Sequence, residues 1–218
     1  MNPKQVVFGT PLFQYHLKDS KLNAALTHHF ETEKNQDTGI IRSNVGGWHS
    51  KIYFDDPKVE CLKKFRSETW ECFQHVLQQT IRQNWVTQWS QQSWAIISGK
   101  GDYNIPHCHP CSEWSSVYYV DVGESFEVVN EDRSKSFSGR IQFLDPRGSL
   151  LEGCKRLSKV GKFYDELYGP VNITMIPYTG LLVFFPAWLM HQVLTYQGDK
   201  PRIVISTNYI LEQAEILV

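Results

Sequence analysis

A chain of 218 residues with 41% hydrophobic and 13% aromatic content can bury one substantial core, which excludes a disordered segment and points to a single domain over 1–218. Lys+Arg 22 against Asp+Glu 23 leaves a formal charge of −1, so nucleic acid is not an expected partner, although a local basic groove stays open. The opening "MNPKQVVFGTPLF" lacks a secretory pattern, no apolar run approaches the ~20 residues of a membrane span, and five irregularly spaced cysteines do not suit a secreted disulfide scaffold; a cytoplasmic location is the expectation.

In chain order, "TPLFQYHL" (Thr10–Leu17) reads as an opening strand. A helix is predicted over about 20–33, with Leu22, Leu26 and Phe30 at helical spacing behind Ser20 as cap. A second is predicted over about 57–83, capped by Asp56, with Pro57 at its first position and Leu62, Phe65, Phe73, Val76, Leu77 and Ile81 on one face. After Trp85 the texture changes to short β-branched and aromatic runs: "QSWAIISG", "SSVYYVDV", "GRIQFLDP", "VNITMIPY", "GLLVFFPAW", "MHQVLTYQ" and "PRIVISTNYI". This pattern predicts a mainly β, α+β architecture: a barrel or jelly roll over about 92–210 with the helices packed on one sheet. Leu150–Pro170 reads as a loop or partly helical insertion of lid length.

The chemistry is concentrated in "GDYNIPHCHPCSEW", Gly101 to Trp114. A strand puts residues i and i+2 on one face, so His107 and His109 point together and Cys108 points away, between two prolines that suit a rim position. Far downstream, "GLLVFFPAWLMHQV" ends on His191, which a jelly roll can bring beside the pair. "RIVISTN" then puts Arg202 at a strand entry with Val204, Ser206 and Asn208 on its face, either capping the barrel or clamping a carboxylate.

These residues, with "GRIQFLDPR", "IPYTGLLVFFPAWLMHQV" and, near the start, "TPLFQYHL" and "NVGGWHS", resemble the bacterial and phage branch of the 2-oxoglutarate/Fe(II)-dependent oxygenases. The resemblance covers most of the chain in order. It implies a double-stranded β-helix, Fe(II) and 2-oxoglutarate as cofactors, and dioxygen as co-substrate. It makes His107 and His191 iron ligands, Arg202 the partner of the distal 2-oxoglutarate carboxylate, and Ser206 or Tyr118 its assistant. The superfamily's usual acid after the first histidine is here His109, and a neutral imidazole lacks a carboxylate's charge. A three-histidine site is favoured over one in which His109 stands aside for water.

A second resemblance, to cupins, rests on Gly101, His107, His109 and Glu113, then Gly180, Pro186 and His191. It implies a cupin-like metalloprotein, a 2-oxoglutarate-independent dioxygenase or an isomerase, with Glu113 as a fourth ligand and no cofactor role for Arg202. "RIVISTN" and "FLDPR" favour the oxygenase reading: hydroxylation of a small molecule or side chain with release of succinate and CO2. A non-catalytic binding barrel is the third alternative, and a homodimer stays open. The remaining elements read plainly. His28, His29, His49 and His75 are expected at the surface or as caps, Trp94, Trp114 and Trp188 as core in preference to pocket lining, Cys61 and Cys72 as buried helix thiols. Cys108 and Cys111 do not make a zinc cluster, since no second ligand pair follows at zinc spacing.

Overall fold

In the computed structural model of the chain, residues 9–52, 58–82, 84–129, 135–157 and 169–216 are described. In chain order they form β1 (Phe13–His16), α1 (Ser20–Lys34), β2 (Asn44–Val45), β3 (Trp48–His49), α2 (Glu60–Thr80), β4 (Trp85–Ser98) and β5 (Tyr103–His107). Then follow β6 (Trp114–Asp121), β7 (Glu127–Val129), β8 (Lys135–Phe137), β9 (Ile141–Leu144), α3 (Gly148–Leu157) and β10 (Asn172–Thr174). The chain closes with β11 (Leu181–Pro186), β12 (His191–Val193) and β13 (Arg202–Ile216).

Two antiparallel sheets face one another. The larger runs β1-β11-β6-β13-β4-β3 and the smaller β10-β9-β12-β5-β2, with β7-β8 as a separate hairpin. This is the mainly β, helix-flanked jelly roll that the sequence pattern predicts, in the double-stranded β-helix form that the family resemblance implies. The larger sheet is buried on both faces, which explains why "VYYV", "LLVFF" and "IVI" read as unbroken apolar runs without polar alternation. Its outer face (Tyr118, Leu182, Phe184, Ile205, Tyr209) packs with Leu22, Leu26 and Phe30 of α1 and Leu62, Phe65, Phe73 and Val76 of α2. Its inner face (Val117, Tyr119, Val183, Phe185, Val204) meets Ile141 and Phe143 of the smaller sheet.

Both helices start differently from expectation. Asp19, not Ser20, caps α1, accepting from Leu22 N at 2.9 Å, and it also pairs with Lys64 of α2. α2 begins at Glu60 behind Val59 with no side-chain cap; Asp56 and Pro57 lie outside the described residues. The β-core is also longer than 92–210, because β4 starts at Trp85 and pairs with β13 as far as Ile216. Of the Leu150–Pro170 insertion, Leu150–Leu157 belongs to α3; residues 158–168 lie outside the described residues.

Two local features shape the barrel mouth. β12 pairs His191 with His107 but Val193 with Asn104, so β5 spends one extra residue around Ile105–Pro106. This bulge turns both Asn104 and His107 inward, where simple alternation would separate them. At the sheet edge, β2 of the smaller sheet passes to β3 of the larger through Gly46 (φ +70°) and Gly47 (φ +65°). A Cβ at Gly46 would lie 1.9 Å from Asp102 Oδ1, and one at Gly47 2.9 Å from Ile97 O. Only glycine permits that corner.

Candidate active site

The end of β5 carries His107, and the chain beyond it is pinned by His109 N donating to Ala187 O at 2.8 Å. His191 opens β12 directly opposite His107. Ring centroids are 5.3 Å apart for His107–His109, 4.4 Å for His107–His191 and 5.0 Å for His109–His191. One nitrogen from each ring falls within 4.8 Å of the other two, and among the described residues no carboxylate or thiol joins the cluster.

The second nitrogen of each ring decides which atom is offered. His107 Nδ1 lies 2.7 Å from Ile105 O and His191 Nδ1 2.8 Å from Leu189 O. A carbonyl only accepts, so both Nδ1 atoms carry the proton and both Nε2 atoms keep a lone pair. His109 Nδ1 donates to Asn208 Oδ1 at 2.5 Å, an oxygen held by the Ser115 hydroxyl at 2.8 Å. His109 Nε2 is buried without a hydrogen-bond partner. Ser43, itself held by Asn104, directs its hydroxyl at His107 Nε2, 3.3 Å away. Burial disfavours the charged form of all three rings, pushing His191 down to about 3 and His109 to about 4, with His107 lowered in the same direction. Three neutral imidazoles with convergent Nε2 lone pairs suit a divalent metal of intermediate softness, and second-shell acceptors on Nδ1 are how such rings are oriented.

The cluster opens on a cavity of about 460 Å³ whose walls include Trp94, Ile96, Val117, Ile141 and Phe185. Along β13, Arg202, Val204, Ser206 and Asn208 all face it, as their period of two requires. Arg202 is only 2% exposed, and its Nε and Nη1 have no hydrogen-bond partner. A buried, unpaired guanidinium is costly unless an anion meets it, and a bidentate carboxylate fits that fork.

Tyr118 is not part of this arrangement. Its side chain points to the helices, where it donates to Asn23 Oδ1 at 2.5 Å and packs on Phe65. The next residue, Tyr119, faces inward: Arg202 lies 5.2 Å over its ring, and its buried hydroxyl has no hydrogen-bond partner. Glu113 is likewise absent from the histidine cluster, its Oε2 accepting from Leu211 N at 2.7 Å. Cys108, expected to point away, lines the cavity, while Cys111 is exposed. His49, read as a surface or capping residue, is buried in the cavity wall and stacked on Trp94 at 5.8 Å. The paired glycines just before "WHS" were the available signal for it. Of the three tryptophans, Trp94 lines the cavity, Trp114 packs on Phe13 and Trp188 is 55% exposed.

Residues 92–208, more than half of the chain, match a family model described as 2OG-Fe(II) oxygenase. No curated protein matches the sequence. In fold the chain is similar to a Pseudomonas putida prolyl-4-hydroxylase (TM-score 0.60, 14% identity, 93% of each chain covered). It is also similar to HygX from Streptomyces hygroscopicus, solved with nickel and 2-oxoglutarate bound (TM-score 0.55, 10% identity, 92% of this chain and 82% of that one). A Trichoplax adhaerens prolyl hydroxylase in complex with a hypoxia inducible factor fragment superposes comparably (TM-score 0.55, 12% identity, 93% and 83%). With three metal-competent imidazoles and an unpaired arginine in the matched segment, the chain belongs to the 2OG-Fe(II) oxygenases, enzymes whose cofactors are ferrous iron and 2-oxoglutarate.

Proposed function

We propose that the enzyme hydroxylates a small molecule or side chain, with His107, His109 and His191 holding the iron through their Nε2 atoms and Arg202 holding the distal carboxylate of 2-oxoglutarate. The observation that carries this reading is two complementary features on one cavity: three convergent imidazole nitrogens, of which His109 Nε2 is buried without a partner, and a guanidinium with two free donors. Both cofactors fit what the side chains lack.

Iron and 2-oxoglutarate supply the oxidising power when bound: dioxygen is consumed, 2-oxoglutarate becomes succinate and CO2, and an oxygen atom enters a substrate C–H bond. The protein's own part is positional. The Ile105, Leu189 and Asn208 acceptors keep each Nδ1 protonated and each Nε2 aimed inward. Arg202 offers N–H donors on the cavity lining, with the Tyr119 ring against its guanidinium, and Ser206 adds a hydroxyl on the same strand face. Val117, Ile141, Phe185 and Val204 keep water away from the reacting centre.

The test is anaerobic addition of Fe(II), then 2-oxoglutarate, to metal-free protein. A visible metal-to-ligand charge-transfer band is expected in the wild type and absent from Arg202→Ala and His191→Ala. Iron binding with no band would overturn the 2-oxoglutarate assignment. A band that survives His109→Ala at unchanged iron affinity would leave a two-histidine site.

A further inference from the structure

We infer that the substrate is a small carboxylic acid without a cationic group, and that Arg42 selects it; this rests on the proposed placing of iron and 2-oxoglutarate above. Arg202 is accounted for by 2-oxoglutarate. A second guanidinium, Arg42, lines the same cavity and has no ion pair among the described residues. Arg42 is exposed and lies in the bend that precedes β2, but its backbone is anchored. Arg42 N donates to Asn44 Oδ1 at 2.8 Å, Ser43 O accepts from Ile105 N at 3.0 Å, and Asn44 pairs with Asn104 in the sheet. The ladder that fixes β2 therefore fixes the arginine's backbone at the barrel mouth.

Part of the cavity lining beside the histidines is aromatic. His49 and Trp94 stack nearly parallel (interplanar angle 6°), and Trp94 is 5.6 Å from the His109 ring. Arg42 is close enough for its charge to disfavour His49 protonation, after burial, the larger cause. Arg42 thus offers an anion contact on the cavity lining, with an aromatic wall at hand and, through its chain neighbour Ser43, the metal-facing Nε2 of His107 nearby. Among the described residues no Asp or Glu lines the cavity, so an ammonium group on the substrate would find no carboxylate of the protein to pair with and would sit near the Arg42 charge. Cavity volume points the same way. About 460 Å³ must hold 2-oxoglutarate as well, leaving room for a compact molecule.

The experiment uses the full chain loaded anaerobically with Fe(II) and 2-oxoglutarate, and reads the perturbation of the charge-transfer band as candidates are titrated in. The probes are 3-phenylpropanoate and 4-methylpentanoate within a panel of alkyl and aryl carboxylic acids, each alongside its primary amide and its amine analogue. We expect acids of the panel to perturb the band and their amides and amines not to. Arg42→Gln should weaken the acid response about two- to fivefold, the scale of losing an ion pair at an exposed position, and Arg42→Lys should restore part of it. Iron and 2-oxoglutarate affinities should be unaltered in both variants, which separates substrate selection from damage to the metal site. If the band forms but no acid perturbs it, or amides act as well as acids, or Arg42→Gln responds like wild type, the inference is overturned while the cofactor reading stands. If the band never forms, the cofactor reading fails and takes this inference with it.

Discussion

Asn208 shows how much of the site is set one bond away from the proposed ligands. Its Oδ1 accepts from both His109 Nδ1 and the Ser115 hydroxyl, so it fixes the His109 ring as a neutral imidazole presenting Nε2. Asn208→Ala removes that acceptor and frees the ring to rotate or change tautomer. Iron affinity should fall about 10- to 100-fold, the usual cost of losing an outer-sphere partner, with the fold retained. Asn208→Asp keeps an acceptor and should lose much less; metal titration of the two variants checks the pair. The adjacent tyrosines give an opposite-signed comparison. Tyr118→Phe breaks a buried hydrogen bond to Asn23 and should cost about 1 kcal/mol of stability without altering 2-oxoglutarate affinity. Tyr119→Phe removes a buried hydroxyl that has no partner, so the cofactor-free protein should be as stable as wild type or more so, while 2-oxoglutarate binds more weakly. Denaturant unfolding and cofactor titration on both variants separate the two roles.

At the scale of elements, the β2–β3 corner links fold to site. Gly46→Ala adds both a left-handed backbone penalty and a clash with the Asp102 carboxylate, whose other oxygen accepts from Gly99 N at 2.7 Å. A loss of about 2 kcal/mol or more is expected by chemical denaturation, and Gly46→Ala with Asp102→Ala should recover only the clash portion. The helices contribute a pH-dependent tie through Asp19, whose carboxyl is held below its ordinary value by Lys64 first and by the Leu22 N–H second. A depressed carboxylate contributes stability above its unfolded pKa and loses it as pH falls through the folded one. Stability should therefore drop below about pH 4 in the wild type and less so in Asp19→Asn, read from thermal melts across that window. These elements also show what the sequence made legible. His107, His109, His191 and Arg202 could be named as candidates because "PHCHP", "GLLVFFPAWLMHQV" and "RIVISTN" follow one another in the order of the family they resemble, and the face of β13 followed from its period of two. Tyr119 was missed for Tyr118 because a sheet buried on both faces carries no polar alternation to show which of two tyrosines points inward. Asn104, His49 and Arg42 were missed because the β5 bulge and the Gly46–Gly47 corner bring them to the cavity, and neither changes the apolar pattern.

For the molecule as a whole, Arg202 couples stability to cofactor. A guanidinium that is 2% exposed, with two donors unpaired, is compensated only in part, by the Tyr119 ring, until an anion arrives. Replacing it by an apolar residue of similar length removes that cost, so Arg202→Met should leave the cofactor-free protein no less stable than wild type. The same substitution removes the proposed 2-oxoglutarate clamp. Wild-type protein holding metal, with 2-oxoglutarate at about 100 times its Kd, should gain about 2.7 kcal/mol from mass action alone, and Arg202→Met should gain almost none. Unfolding curves with and without 2-oxoglutarate test both halves together. If Arg202→Met is instead strongly destabilised without cofactor, the guanidinium is a structural strut of the barrel, and the argument that its free donors await a carboxylate fails.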